Sequence, residues 1–208
     1  MCGIVGYTGS NCAQPILLQG LQRLEYRGYD SAGVAIEQDG ALEVVHRKGK
    51  VESLAHTLSH FNLTGTCGIG HTRWATHGRP SEANAHPHTS CDNQIAVVHN
   101  GIIENFAELR ETLMARGHHF TSETDTEVVA HLVEEAYAQT NDLTQALRMA
   151  TQELVGAYAL AVVIAHEPGV IACARKDSPL VVGVGSDGAT VASDIIAIID
   201  QTRDVVVL

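Results

Sequence analysis

Two rhythms of apolar residues alternate along the chain. Short β-branched runs bounded by Gly, Asp or Pro predict ten strands. Five lie in the first half, at 4–8, 33–36, 42–47, 68–72 and 95–99. Five lie near the end, at 158–165, 170–175, 180–184, 190–192 and 204–208. Between them, apolar residues recur every three or four positions, the spacing of one helix face. Ile16, Leu17, Leu21 and Leu24 form one such stripe, and Val51, Leu54 and Leu58 a second. Phe106, Leu109 and Leu113 mark a helix over about 104–116 that stops at Gly117. Val129, Leu132, Val133 and Ala136 mark one over 126–137, and Leu143, Leu147 and Ala150 the last. The final strands follow one another without helices, which predicts antiparallel pairing rather than βαβ crossovers. Ten strands and about five helices exceed one sheet with one helical layer. The expected architecture is α+β, with two stacked sheets, helices outside and four layers in all. No repeat and no Pro/Gly/Ser-rich linker divides the chain, so 1–208 reads as one domain.

Composition narrows the class. The chain has 208 residues, 45% of them apolar, enough for one sizeable core. It carries 24 acidic against 13 basic residues, a net charge of −11, which argues against nucleic acid and against an anionic membrane surface as partners. No apolar run reaches the ~20 residues of a membrane span. The five cysteines, at 2, 12, 67, 91 and 173, are odd in number and widely spaced, so neither a disulfide framework nor a cysteine-rich zinc module is expected. With no basic n-region of a secretory signal, a cytoplasmic location is expected.

Four constellations carry candidate chemistry. Met1-Cys2-Gly3 opens the chain. Removal of the initiator Met would leave a thiol and a free α-amine on one residue, a nucleophile with its own base. A buried, inert Cys at a strand start is the plainer alternative. Gly3 would let a substrate approach the backbone. The segment 71–78, His-Thr-Arg-Trp-Ala-Thr-His-Gly, follows a strand, and its Arg73 offers a planar fork for a carboxylate, unless the loop is simply solvated. His99-Asn100-Gly101 ends an apolar strand. Its Asn amide and following Gly N–H could aim at one oxyanion, although Asn-Gly is also a common turn. In 122–127, Thr124 and Glu127 fit a capping box and Asp125 a first-turn acid, while the same carboxylate could hold an ammonium group. Among twelve histidines, His71, His77, His86 and His88 cluster and His118-His119 are adjacent. None has the spacing of a known metal motif, so no metal or other cofactor is expected.

Taken together, these residues closely resemble the glutamine amidotransferase domain of the glutamine–fructose-6-phosphate aminotransferases. The matching stretches are CGIVGY from Cys2, LQRLEYRGYDSAGVA from Leu21, GHTRWATHGRPSEANAHPH from Gly70, VVHNGIIENFAELR from Val97 and FTSETDTEVVAHLVE from Phe120. GAYALAVV from Gly156 and RKDSPLVVGVG from Arg175 continue the match to the end of the chain. The resemblance implies an N-terminal nucleophile fold of αββα layers and an enzyme that hydrolyses L-glutamine through a γ-glutamyl thioester. It implies Cys2 as nucleophile, its freed amine as base, and Asn100 with the Gly101 N–H as oxyanion hole. Arg73 would take the substrate α-carboxylate and Asp125 the α-ammonium. Thr76, His77 and Trp74 would line or cover the pocket, with Arg27 and Gly28 close to the nucleophile.

Phosphoribosylpyrophosphate amidotransferases share the N-terminal Cys and a similar HNG. The EYRGYDSAG and HTRWATHG segments favour the sugar-phosphate family over them. Members of that family continue into a sugar-phosphate isomerase region, so the chain resembles a domain of a longer, homo-oligomeric protein that meets fructose 6-phosphate only through that region. A histidine-rich metal-binding module without catalysis is the alternative of a different class. Met1, if retained, should lie in or across the cleft.

Overall fold

The computed structural model describes residues 2–74 and 78–208. Eleven strands and five α-helices are found among the described residues. Seven strands form one sheet: β1 (Gly3–Gly9), β2 (Ser31–Gln38), β3 (Ala41–Lys48), β4 (Cys67–Arg73), β9 (Val181–Gly185), β10 (Gly188–Ala192) and β11 (Val205–Val207). Their order is β11-β9-β10-β1-β4-β2-β3. The second sheet holds β5 (His88–Thr89), β6 (Ile95–Ile103), β7 (Gly156–Ile164) and β8 (Ile171–Lys176), in that order. Every paired strand is antiparallel to its neighbour. The helices are α1 (Ala13–Leu24), α2 (Val51–Leu58), α3 (Phe106–Ala115), α4 (Glu127–Thr140) and α5 (Leu143–Glu153).

Strand alternation builds the layers. Successive side chains point to opposite faces, so each central strand feeds two cores. On β7, Ala159, Ala161 and Val163 face the other sheet, while Leu160, Val162 and Ile164 face the helices. On β1, Ile4 joins the core between the sheets, whereas Val5 and Tyr7 pack with Leu17, Leu21 and Leu24 of α1. The core of the second sheet is closed by α3, α4 and α5 through residues such as Leu113, Val129 and Leu147. Helices, sheet, sheet and helices thus form the expected αββα order. Leu17, Leu21 and Leu24 are fully buried, and truncating one such leucine to Ala costs about 2–5 kcal/mol.

Local signals fix the helix ends. α3 closes on Gly117 at φ +101°, and the His118 N–H bonds back to the Leu113 carbonyl, a Schellman stop. α4 ends on Asn141 in the left-handed region, and Asp142 then caps α5 by accepting from the Gln145 N–H at 2.8 Å.

Three expectations change. β6 runs four residues past His99, so Asn100-Gly101 sits within a strand rather than in a strand-ending turn. The two-residue β5 has too few residues to show a period. Gly3 serves packing rather than substrate approach: a Cβ there would meet Leu24 Cβ and Thr72 Oγ1 at 2.7 Å.

Candidate active site

Strand ends from both sheets meet around Cys2. β1 and β4 pair so that Gly3 faces Thr72, which brings residue 2 beside Arg73 and Trp74. The Trp74 N–H donates to Cys2 Sγ at 3.3 Å, and the thiol lies 3.5 Å from the Trp74 carbonyl oxygen. From the other sheet, Asn100 Nδ2 donates to the Cys2 carbonyl at 3.2 Å. A cavity of about 260 Å³ opens between them, lined among the described residues by Cys2, Arg27, Arg73, Trp74, Asn100, Gly101 and Asp125 and by neighbouring groups. Burial is the main influence on the Cys2 thiol and pushes its pKa up, opposed by the Trp74 hydrogen bond and by the nearby Arg73 charge.

Asn100 is held from behind. His71 Nε2 lies 2.9 Å from the His99 carbonyl oxygen and 3.0 Å from Asn100 Oδ1. Both partners are acceptors, so Nε2 carries the proton and donates to them. That fixes Asn100 with its oxygen turned to His71 and its NH₂ turned to Cys2. His71 is fully buried, and burial lowers its pKa to about 3, so it stays neutral. Its ring stacks on His86 at 4.1 Å. Desolvation likewise holds His86 and His88 well below the usual histidine value. The next residue, Gly101, has φ +131°, and a Cβ there would stand 2.0 Å from the Ala157 carbonyl oxygen. Only glycine turns the backbone this way against β7.

Arg73 and Asp125 bring opposite charges to one cavity. Both side chains belong to buried residues, 4% exposed in each case. Arg73 donates to the Gly78 carbonyl at 3.3 Å. Asp125 accepts from the Ile103 N–H at 2.8 Å, which ties it to the end of β6. The loop carrying Asp125 is clamped by buried Glu127. That carboxylate accepts from the Thr121 and Ser122 N–H groups, both at 2.7 Å, and from the Ser122 hydroxyl at 2.6 Å. The expected capping box is therefore not formed. The α4 N-cap is Thr126, without a side-chain cap, because Glu127 reaches backward and Thr124 Oγ1 bonds His88 Nε2 at 2.9 Å.

Arg27 also reaches the cavity, anchored to Asp194 at 3.3 Å and the Ser193 carbonyl at 3.4 Å. Gly28 lies behind the wall, where a Cβ would meet the Arg73–Trp74 backbone at 2.9 Å. Trp74 is 44% exposed and packs edge-on against Tyr29 at 5.5 Å. Thr76, His77 and Met1 lie outside the described residues. Residues given no role from sequence also line the cavity. Ser178 and Pro179 arrive from the connection after β8, where Asp177 has φ +61°. Their Asp-Ser-Pro run signals a turn but not where the turn points.

Comparison with known proteins gives the family. The model of the glutamine amidotransferase domain family matches residues 71–200. The glutamine–fructose-6-phosphate aminotransferase of Thermus thermophilus is 56% identical over 209 residues, covering all of this chain and 34% of the relative. That of Pyrococcus horikoshii is 51% identical over 208 residues, with 100% and 35% covered. The chain thus spans about a third of the length of these relatives. Among solved structures, the glutamine phosphoribosylpyrophosphate amidotransferase of B. subtilis superposes with a TM-score of 0.82 at 30% identity, covering 100% of this chain and 44% of that one. Among the described residues, no helix is long and apolar enough to cross a membrane. On its match over 130 residues and its full-length likeness to these relatives, the chain belongs to the glutamine amidotransferase domain family.

Proposed function

We propose that the chain hydrolyses L-glutamine to glutamate and ammonia, with Cys2 as nucleophile. The observation that carries this reading is one cavity bringing together a thiol, an oriented amide donor, a guanidinium and a carboxylate. Arg73 takes the α-carboxylate of glutamine through its planar fork, and Asp125 takes the α-ammonium. This pair selects a free amino acid over an amide within a peptide. Cys2 Sγ then attacks the side-chain amide carbon, and its proton passes to the Cys2 α-amine. The tetrahedral oxyanion is met by Asn100 Nδ2 and the Gly101 N–H. Collapse breaks the C–N bond, the amine returns the proton to the leaving nitrogen, and ammonia departs from a γ-glutamyl thioester. Water cleaves the thioester to glutamate and restores the thiol. Trp74 covers the bound substrate, and Arg27 and Gly28 support the wall beside the nucleophile.

The relatives at 51–56% identity support a sugar-phosphate setting over a phosphoribosylpyrophosphate one, where the matched structure is 30% identical. In a longer, homo-oligomeric cytoplasmic parent, the ammonia would be delivered to fructose 6-phosphate to give glucosamine 6-phosphate. Residues 1–208 act as the glutaminase domain of that parent.

The test compares three proteins by glutamate release and by intact mass: the chain with Cys2 exposed at its terminus, the chain retaining Met1, and Cys2→Ala. Activity is expected only in the first. Full activity with Met1 intact removes the α-amine as base, and activity of Cys2→Ala within tenfold removes the thiol.

A further inference from the structure

We infer that the chain carries a zinc-class metal site, separate from the glutamine cavity, formed by Cys91, His118, His131 and Glu134. These residues come from three segments: the turn between β5 and β6, the stretch after α3, and one face of α4. Their donor atoms converge, with no two more than 4.8 Å apart. Cys91 Sγ lies 3.6 Å from His118 Nδ1 and 3.7 Å from His131 Nδ1. Glu134 Oε2 lies 3.1 Å from His118 Nδ1 and 3.3 Å from His131 Nδ1. A regular tetrahedron built on Zn–S of about 2.3 Å and Zn–N or Zn–O of about 2.0–2.1 Å has S···N edges near ~3.6 Å and N···O edges near ~3.3 Å. Four of the six edges already match that figure. One thiolate, two imidazoles and one carboxylate suit zinc better than a hard cation such as magnesium or calcium.

The surroundings fit ligation as well. His118 turns Nε2 to Glu135 Oε1 at 3.2 Å, the carboxylate partner that fixes a metal-bound imidazole with Nδ1 free for the ion. His131 is buried, and its Nε2 faces Glu127 Oε1 at 3.9 Å, the carboxylate nearest to its other ring nitrogen among the described ion pairs. The His119 N–H donates to Cys91 Sγ at 3.5 Å, which fixes the direction of that sulfur. The i, i+3 spacing of His131 and Glu134 puts both on one face of α4. Sequence alone hides such a set, because its members lie 27 and 13 residues apart along the chain before the helical pair.

A bound ion would staple α4 to the β5–β6 turn and to the end of α3. Glu127, one helical turn before His131, clamps the loop that presents Asp125, so the staple would brace that loop through α4. Its role here is structural, since none of the four ligands lines the glutamine cavity.

The test uses the whole chain, stripped with a chelator and titrated with Zn²⁺ or Co²⁺ alone. One equivalent is expected to bind, with a thiolate-to-cobalt charge-transfer band and a raised Tm. Cys91→Ser should abolish that band, and His118→Ala should weaken binding at least 100-fold. Cys2→Ala should leave both band and stoichiometry intact. Absence of stoichiometric uptake overturns the inference, as does a band that survives in Cys91→Ser or disappears in Cys2→Ala. If Cys91→Ser fails to fold, X-ray absorption of the zinc-loaded parent decides: one sulfur among four ligands supports the site, and none or several overturns it.

Discussion

Replacing Asn100 by Ala removes the only side-chain donor that the described structure aims at Cys2 from the second sheet. Loss of one oxyanion donor costs roughly 10²–10³ in kcat, about 3–4 kcal/mol. Because the donor matters most once charge has developed on the oxygen, KM should stay within a few-fold. His71 adds a second, dependent term. Its Nε2–H is shared between the His99 carbonyl and Asn100 Oδ1, and it decides which way the amide faces. One hydrogen bond of this kind is worth about 0.5–1.5 kcal/mol net, so His71→Leu should lower kcat about two- to tenfold by loosening that orientation. His71 never reaches the substrate, so the whole effect must pass through Asn100. In an Asn100→Ala background, His71→Leu should therefore cost less than about twofold more. The assay is glutamate release at saturating glutamine for the parent, both single variants and the double variant, with Tm measured for each. Equal factors for His71→Leu in both backgrounds would mean additive, independent sites and would refute the coupling. An Asn100→Ala variant with unchanged kcat and raised KM would refute the oxyanion role itself.

Three further outcomes follow from the same geometry. Arg73→Lys and Asp125→Asn should each raise KM for glutamine at least tenfold with a smaller change in kcat, since a point charge cannot replace a bidentate fork and a neutral amide cannot pair the α-ammonium; unchanged KM in initial-rate kinetics removes both assignments. Gly101→Ala should destabilise the fold by several kcal/mol in urea unfolding, because its Cβ would collide with the Ala157 carbonyl at a φ that alanine avoids; a native midpoint would show that the strand relaxes freely. Acid should weaken the fold through His71, His86 and His88, all held neutral by burial. The unfolded chain takes up their protons below ~6.5, so stability is complete above that pH and falls toward the folded value of about 3 for His71, by up to ~1.4 kcal/mol per pH unit for each such histidine; an unfolding midpoint that stays flat from pH 7.5 to 5 contradicts this.

The layers were legible because their signals are local and periodic. Leu160 and Ala161 alternate between two cores, as an antiparallel strand buried on both faces requires, and Leu17, Leu21 and Leu24 keep helical spacing. Gly117 and Asn141 end helices through backbone conformations that can be anticipated from residue type. What escaped was non-local. Nothing near Glu127 reveals that it holds Thr121 and Ser122, six and five residues back, because Thr124 and Glu127 keep the three-residue spacing of a capping box whichever way the carboxylate turns. Asn100-Gly101 reads as a turn until Tyr158 is seen opposite Gly101 on β7. Ser178 reaches the cavity, and Cys91 reaches His131, only once the sheets have paired.

The histidine wall behind the cavity invites a reading as general base, and magnitudes argue against it. An ordinary thiol has a pKa near ~8.5, and burial pushes Cys2 upward from its ordinary value. His71 has a pKa of about 3, and its Nε2–H is committed to the His99 and Asn100 oxygens. Proton transfer from the thiol to such an imidazole would run uphill by more than five pK units, about 7 kcal/mol or more before the amide is touched. His86 and His88 are depressed in the same direction by the same desolvation. An α-amine on Cys2 itself, with a reference pKa of roughly 7.7–8.0, lies within about one unit of an ordinary thiol and is already bonded to the nucleophile's own residue. Neutral His71 thus orients Asn100, and the proposed proton transfer is left to the amine. That amine exists only when Cys2 is the first residue, which makes removal of Met1 the step that switches the proposed chemistry on.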